Sequence, residues 1–134
     1  MLAAMRLVLV RHAAAADGAP DELRALTPEG REQARALAAE LAGEGPDAVL
    51  TSPLLRARET AAEIARAAGV EPEPDDLLAP GASAEDVLAA IAGRGETVVA
   101  VGHNPDCQQI ALALGVTMPH GFPPAGYAVI DVPS

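Results

Sequence analysis

The sequence of 134 residues is poor in cysteine, in aromatic side chains and in lysine. Its single cysteine, Cys107, excludes an internal disulfide and fits a reducing compartment. Phe122 and Tyr127 are the only aromatic residues, so the core must be built mainly from Ala, Val, Leu and Ile. Every basic side chain is arginine, whose planar guanidinium suits bidentate recognition of phosphate.

Long hydrophobic runs and net positive charge are also missing. No segment approaches the ~18 consecutive apolar residues that a membrane-spanning helix needs. The apolar stretch from Met1 to Val10 is short and is interrupted by Arg6, which disfavours a signal peptide. A formal net charge of −10 disfavours nucleic acid and anionic membranes as partners. We therefore expect a cytoplasmic protein without nucleic-acid or membrane partners.

Short apolar runs alternate with helical segments along the chain. Strands are predicted at residues 7–10, 47–51, 97–102 and 127–132, with a short edge strand within 70–80. Helices are predicted to begin at four capping residues, Thr27, Ser52, Ser83 and Asn104. This order predicts an α/β fold, namely a three-layer α/β/α sandwich with a mainly parallel sheet, over a single domain, 1–134. The strands at 7–10 and 97–102 are expected in its centre and the last strand at an edge.

Arginine and histidine residues follow two of these strands. Arg11 and His12 come directly after residues 7–10, and His103 comes directly after Gly102. Ligands of open parallel sheets bind beyond the carboxyl ends of the strands, so both histidines are predicted to face one crevice. Arg56, about one turn into the second helix, is predicted to reach the same crevice, where a helix N-terminus favours anions.

Histidine surrounded by cationic side chains is suited to phosphoryl transfer. A neutral imidazole can attack phosphorus in line, provided that its other N–H has an acceptor such as a backbone carbonyl. Positive charge then stabilises the three equatorial oxygens of the transferring group. Arg58 lies about 200° round the helix from Arg56, so we expect it to point elsewhere and to pair with Glu59 or Asp47.

The pattern Arg11-His12, Ser52-Pro53-x-x-Arg56-Ala57-x-x-Thr60, Gly102-His103 resembles three signatures of the histidine phosphatase superfamily, also called phosphoglycerate mutase-like. Leu26-Thr27-x-x-Gly30 matches a fourth piece, and the short chain resembles the SixA-type phosphohistidine phosphatases. The resemblance implies a phosphoglycerate mutase-like fold, with His12 as the nucleophile. Arg11, Arg56 and His103 would then be catalytic and would bind the phosphoryl oxygens. We expect no cofactor and no metal.

Other residues near these motifs have simpler interpretations. Ser52 is expected to be a helix cap first and a phosphate ligand second, and Asn104 a cap. Arg24 is predicted either to line the rim of the pocket or to pair with Asp21. His120 is predicted to be a rim contact or a solvated loop residue.

The sequence departs from the family pattern at three points. Ala13 stands where the family commonly has glycine, and it would be strained if its φ were positive. Gly18 replaces an asparagine of larger relatives, and the insertion that carries their acidic proton donor is missing. Because a departing imidazole needs a proton donor less than an alkoxide does, phosphohistidine on a protein is the predicted substrate. The alternatives are a small phosphate ester, such as a sugar or nucleotide phosphate, or a non-catalytic module that binds phosphohistidine.

Overall fold

The computed structural model describes residues 4–133, so residues 1–3 and 134 of the predicted domain lie outside it. The five strands of its sheet are β1 (Ala4–Arg11), β2 (Ala48–Thr51), β3 (Pro72–Pro74), β4 (Thr97–Gly102) and β5 (Tyr127–Pro133). Their order is β3-β2-β4-β1-β5. β5 pairs antiparallel with β1, whereas the other pairs of neighbours are parallel. The predicted interior and edge strands are therefore confirmed.

Helices cover both faces of this sheet. They are α1 (Pro28–Ala42), α2 (Leu55–Ala68), α3 (Ala84–Ile91) and α4 (Asp106–Ala113), with short 3₁₀ turns at Asp21–Leu23 and Asp76–Leu78. In β1, Val8 and Val10 pack with residues of α1 and α2, while Leu7 and Leu9 pack with residues of α3 and α4. Alternation of side chains along a strand places these two sets on opposite faces. The predicted α/β/α sandwich is confirmed.

Two of the four predicted helix caps are present. The Thr27 hydroxyl accepts the Gly30 N–H at 2.9 Å, and Ser83 and Asp86 form a reciprocal capping box. The predicted cap at Ser52 is wrong, because α2 begins only at Leu55. Ser52 Oγ instead accepts the N–H of Leu54 at 3.2 Å. Such a local side-chain bond competes with helical geometry and delays the start of the helix.

The predicted cap at Asn104 is also wrong. α4 begins at Asp106 without a side-chain cap. The Asn104 amide donates to the carbonyl of Phe122 at 3.1 Å. It therefore stabilises the loop before β5 and does not cap α4.

The first turn of α1 packs directly against the backbone that follows His12. The Thr27 N–H donates to the Ala14 carbonyl at 3.0 Å. A Cβ at Gly30 would overlap that same carbonyl oxygen. Glycine is therefore required at position 30 by the close approach of two backbones, and the helix supports the loop on which His12 lies.

Gly30→Ala is expected to lower the free energy of unfolding by about 1–3 kcal/mol, as overpacking of a buried contact does. Alanine favours a helix over glycine by at most ~1 kcal/mol, so the clash outweighs the gain in helix propensity. Urea unfolding measures the change. Gly43→Ala is the control, because a Cβ there meets the nearest atom at an ordinary 3.5 Å. Equal stability of the two variants would contradict the close packing at Gly30.

Candidate active site

The ends of three parallel strands bring the site residues together. β1 and β4 are paired so that Arg11 lies opposite Gly102, and the His12 N–H continues the ladder to the Gly102 carbonyl at 3.0 Å. The imidazole centroids of His12 and His103 are consequently 5.2 Å apart. The Ser52 N–H extends the pairing of β2 with β4 by donating to Val101 at 2.9 Å.

His12 has one ring nitrogen bonded to the backbone. Its Nδ1 lies 2.7 Å from the carbonyl oxygen of Ala13. Because a carbonyl only accepts, this contact places the proton of the neutral ring on Nδ1 and leaves Nε2 with its lone pair. The sequence predicts that a nucleophilic histidine ring needs a backbone acceptor for its N–H. For His12 this acceptor is the carbonyl of the next residue, Ala13.

Thr60, a fully buried residue of α2, holds the backbone that provides this carbonyl. Its hydroxyl accepts the Ala13 N–H at 3.0 Å and donates to the Arg56 carbonyl at 2.9 Å. Among the described residues, Ala125 is the non-glycine residue with a positive φ, so Ala13 carries no strain of that kind. The Ala13 side chain is instead buried against Leu26 and Ala34.

Two arginines lie at this end of the sheet, each held by a backbone carbonyl. Arg11 Nη1 donates to the Phe122 carbonyl at 2.9 Å. Arg56 Nη1 donates to the Asp21 carbonyl at 2.7 Å, and Nη2 lies 3.3 Å from the Asp21 carboxylate. The Nε atoms of both arginines are buried without a partner among residues 4–133. A buried unbonded donor is costly, so these N–H groups suit an anionic ligand.

His103 lies opposite His12 and is 4% exposed. Its Nε2 is 2.8 Å from the hydroxyl of Ser52. Ser52, expected mainly as a cap, is thus a direct neighbour of the second histidine. Two imidazoles, two guanidiniums and one hydroxyl are thus grouped at this end of the sheet.

Desolvation keeps both imidazoles neutral. Burial lowers the pKa of His12 to about 4, and the charges of Arg56, Arg11 and Arg24 act in the same direction, whereas the bond to Ala13 opposes them. Burial likewise lowers the pKa of His103 to about 4, helped by His12 and Arg56 and opposed by Asp21. A neutral His12 with a bare Nε2 is the form that can attack phosphorus.

The remaining candidate residues lie outside this cluster. Arg24 donates to the Ala16 carbonyl and to Asp21, as one of its predicted alternatives required. His120 is exposed on the loop between α4 and β5. The predicted pairing of Arg58 with Glu59 or Asp47 is wrong, because its Nε donates to the Pro53 carbonyl at 2.9 Å.

The single cysteine of the chain is not accessible as a nucleophile. Cys107 is buried with Sγ 3.6 Å from the Val10 carbonyl, and burial raises its thiol pKa to about 12.

Across residues 4–133, no group of three or more His, Cys, Asp and Glu side chains is arranged to hold a metal ion. Within the same range, no helix is long and apolar enough to cross a membrane.

Sequence reasoning missed three contributors to the site. Asp21 and Phe122 act through loop carbonyls, which leave no signal in the sequence. Thr60 was visible as part of a motif, but its bond to the Ala13 N–H depends on how α2 packs under the loop.

Comparison with known proteins identifies the family. The family model for the histidine phosphatase superfamily (branch 1) matches residues 7–80. An uncharacterized protein of Picosynechococcus sp. is 40% identical in an alignment of 129 positions that covers 87% of this chain and 78% of that protein. The chain belongs to the histidine phosphatase superfamily.

Several solved structures are similar to this chain over most of its length. A candidate phosphohistidine phosphatase SixA from Agrobacterium tumefaciens is 33% identical with a TM-score of 0.82, covering 96% of this chain and 92% of that one. The protein histidine phosphatase SixA complexed with tungstate is 26% identical with a TM-score of 0.77, covering 96% and 97%. Phosphatases of small molecules also share the fold, at 20–21% identity, and that likeness concerns the fold alone.

The protein is therefore a phosphatase of the histidine phosphatase type, with a phosphoglycerate mutase-like fold and in a family that requires no metal. Its substrate is a phosphorylated compound.

Thr60→Val removes the hydroxyl while keeping the shape, and it leaves the buried Ala13 N–H without an acceptor. We expect a loss of about 1–3 kcal/mol in unfolding free energy, the cost of an unsatisfied buried donor. Turnover should fall as well, because the Ala13 carbonyl no longer holds the His12 ring. Thr60→Ser, which keeps the hydroxyl, should retain most of both. Chemical unfolding and steady-state kinetics test this, and identical Val and Ser variants would contradict it.

NMR titration of the imidazole protons should show His12 and His103 neutral down to about pH 5, with midpoints near pH 4. Since both folded pKa values lie below the unfolded value of ~6.5, the unfolded chain binds more protons between these pH values. Stability should therefore fall as the pH drops from about 6.5 to 4. Inorganic phosphate should raise the His103 midpoint by favouring the cation. Midpoints near 6.5 in the free protein would contradict the desolvated site.

Proposed function

We propose that this protein hydrolyses phosphohistidine on another protein, with His12 as the nucleophile. The observation that carries the proposal is the Nδ1 contact of His12 with the Ala13 carbonyl at 2.7 Å, beside Arg11, Arg56 and His103. It presents one bare imidazole nitrogen to a cationic cluster. That pairing of a neutral nucleophile with fixed positive charge suits transfer of a phosphoryl group.

The proposed first step is an in-line displacement at phosphorus. The lone pair of His12 Nε2 forms the new P–N bond while the P–N bond to the substrate imidazole breaks. The electron pair of the broken bond stays on the departing nitrogen. When the other nitrogen of that ring already carries a proton, the leaving group departs as neutral imidazole. Water then attacks the phosphohistidine at position 12, releasing inorganic phosphate and restoring the free ring.

Arg11 and Arg56 are proposed to bind the phosphoryl oxygens through donors that include their buried Nε–H groups. His103 is proposed to bind a further oxygen through Nε2, with Ser52 Oγ as its neighbour. A dianionic phosphoryl group would favour the protonated form of His103, since it replaces lost solvation by direct charge pairing. Arg11, Arg56 and His103 thus orient the phosphoryl group and stabilise its charge, while His12 forms the covalent bond to phosphorus.

The proton balance of the site favours an imidazole leaving group. The carboxylate in contact with the cluster belongs to Asp21, and hydrogen bonds from Arg24 and Arg56 hold its pKa below the usual range. Asp21 is therefore an anion at neutral pH and a poor proton donor. An alkoxide requires such a donor, worth typically ~10²–10⁴-fold in rate, whereas a protonated phosphohistidine ring does not.

The surroundings of the site suit a protein-borne phosphate. The connection from β2 to α2 spans only residues 52–54, so no insertion encloses the ligand there. Leu23, on the 3₁₀ turn that carries Asp21, is 56% exposed and offers apolar contact to a docked partner. A cytoplasmic setting, where Cys107 stays reduced, completes the proposal.

Labelled phosphohistidine protein should transfer its label to His12, giving acid-labile, base-stable phosphate after a rapid quench. His12→Ala should abolish this label and lower kcat by at least about 10³-fold, the order lost when a covalent nucleophile is removed. Chelators should change nothing. Full activity of His12→Ala would refute the mechanism.

A substrate panel separates the alternatives. We expect kcat/KM to be highest for phosphohistidine proteins among phosphohistidine, phosphoramidate, sugar phosphate and nucleotide substrates. A preference above ~100-fold, about 2.7 kcal/mol, for one small ester would establish the phosphomonoesterase instead. Tight binding of phosphohistidine protein without turnover would establish the binding module.

A further inference from the structure

The carboxylate of Asp21 lies between two arginines at the mouth of the site. Its Oδ2 is 3.3 Å from Arg56 Nη2, and its Oδ1 is 3.2 Å from Arg24 Nη1. The Asp21 side chain is 62% exposed, whereas that of Arg56 is 8% exposed. The carboxylate therefore covers the solvent side of a buried guanidinium that is itself proposed to bind phosphate.

The backbone fixes Asp21 in this place independently of its charge. Its carbonyl accepts Arg56 Nη1 at 2.7 Å. Arg24, which binds the Asp21 carboxylate, is anchored by its Nε to the Ala16 carbonyl at 2.8 Å. The field of Asp21 also reaches His103, where it offsets a small part of the lowering of the pKa by burial, His12 and Arg56. A permanent negative charge thus stands within electrostatic range of the second histidine.

In-line displacement determines which part of the substrate meets this charge. The leaving group must lie opposite His12 Nε2 across the phosphorus atom. His12 follows the end of β1 and is half-buried, whereas the Asp21 side chain is exposed, so a leaving group that departs towards solvent would lie on the side of Asp21. A leaving group there is stabilised by Asp21 if it carries a proton on nitrogen and is repelled if it develops negative charge.

We propose that Asp21 is a specificity-determining residue that selects a protonated nitrogen leaving group, such as the imidazole of phosphohistidine, over oxyanion leaving groups. The inference rests on the proposed function and names the residue that discriminates between its two substrate classes. The carboxylate accepts a hydrogen bond from the N–H of the leaving ring and so keeps that proton in place. The ring then departs neutral as the P–N bond breaks, while its former bonding pair stays on the departing nitrogen.

The test compares Asp21→Asn with wild type on a phosphohistidine peptide and on p-nitrophenyl phosphate, whose leaving group is an anion. Because the charge is exposed and screened, we expect kcat/KM for the peptide to fall about three- to five-fold. The value for p-nitrophenyl phosphate should stay equal or rise. Asp21→Glu should restore the preference. Asp17→Asn is the matched control, since Asp17 also pairs with Arg24, at 3.5 Å, but is fully exposed and has no contact with Arg56.

A second readout uses the peptide alone. In wild type, Asp21 stabilises the protonated ring of the bound peptide, so the decline of kcat with rising pH should begin about half a pH unit higher than in Asp21→Asn. If the Asp21 carboxylate only competed with phosphate for Arg56, Asp21→Asn would have the same pH profile as wild type. Its kcat/KM would then be higher than that of wild type on both substrates.

Four results would overturn the inference. They are an equal change on both substrates, an unshifted pH profile, no effect of Asp21→Asn at all, or the same effect from Asp17→Asn. Failure of wild type to hydrolyse the phosphohistidine peptide overturns the proposed function together with this inference. Wild-type turnover with an unchanged substrate ratio and pH profile in Asp21→Asn overturns this inference alone.

Discussion

The parallel register of β1 against β4 is the constraint on which the site depends. Arg11 lies opposite Gly102, and one further ladder bond, from the His12 N–H to the Gly102 carbonyl at 3.0 Å, places each histidine just beyond its strand. Shifting either strand by one residue would turn its histidine to the other face of the sheet. The apolar residues of β1 and β4 are buried on both faces, so such a slip is opposed by the whole core. The geometry of a polar site is therefore specified by apolar packing.

The second feature of the site is concentrated positive charge in a protein whose net charge is −10. The two arginines are held by backbone carbonyls of Phe122 and Asp21, which are neutral acceptors. A carbonyl positions a guanidinium without cancelling its charge, although at Arg56 the exposed Asp21 carboxylate, 3.3 Å from Nη2, offsets part of that charge. Burial, together with the charge of Arg56 and, for His12, that of Arg11, keeps His12 and His103 unprotonated. On the proposed mechanism, phosphate binding and the nucleophilicity of His12 thus arise from one electrostatic arrangement.

Residues on regular elements were predictable from the sequence, whereas those on loops were not. Apolar runs located the strands, and parallel topology then implied that His12, His103 and Arg56 meet at one edge. The start of α2 was misplaced because the Ser52 hydroxyl binds Leu54 and His103 instead of capping a helix. The predicted cap at Asn104 was wrong for a similar reason, since its amide donates to the Phe122 carbonyl. The contact of Asp21 with Arg56 joins residues 35 positions apart through a loop whose path no local pattern encodes.

The only sulfur nucleophile of the chain lies in the core rather than in the site. Cys107 is 1% exposed, and its raised pKa keeps it a thiol. Oxidants such as peroxide react with exposed thiolates, and the proposed chemistry at His12 contains none. Phosphatases that depend on a cysteine thiolate are switched off by oxidation, whereas a histidine-based site has no such point of attack. On the proposed mechanism, removal of phosphate by this protein does not depend on the redox state of its surroundings.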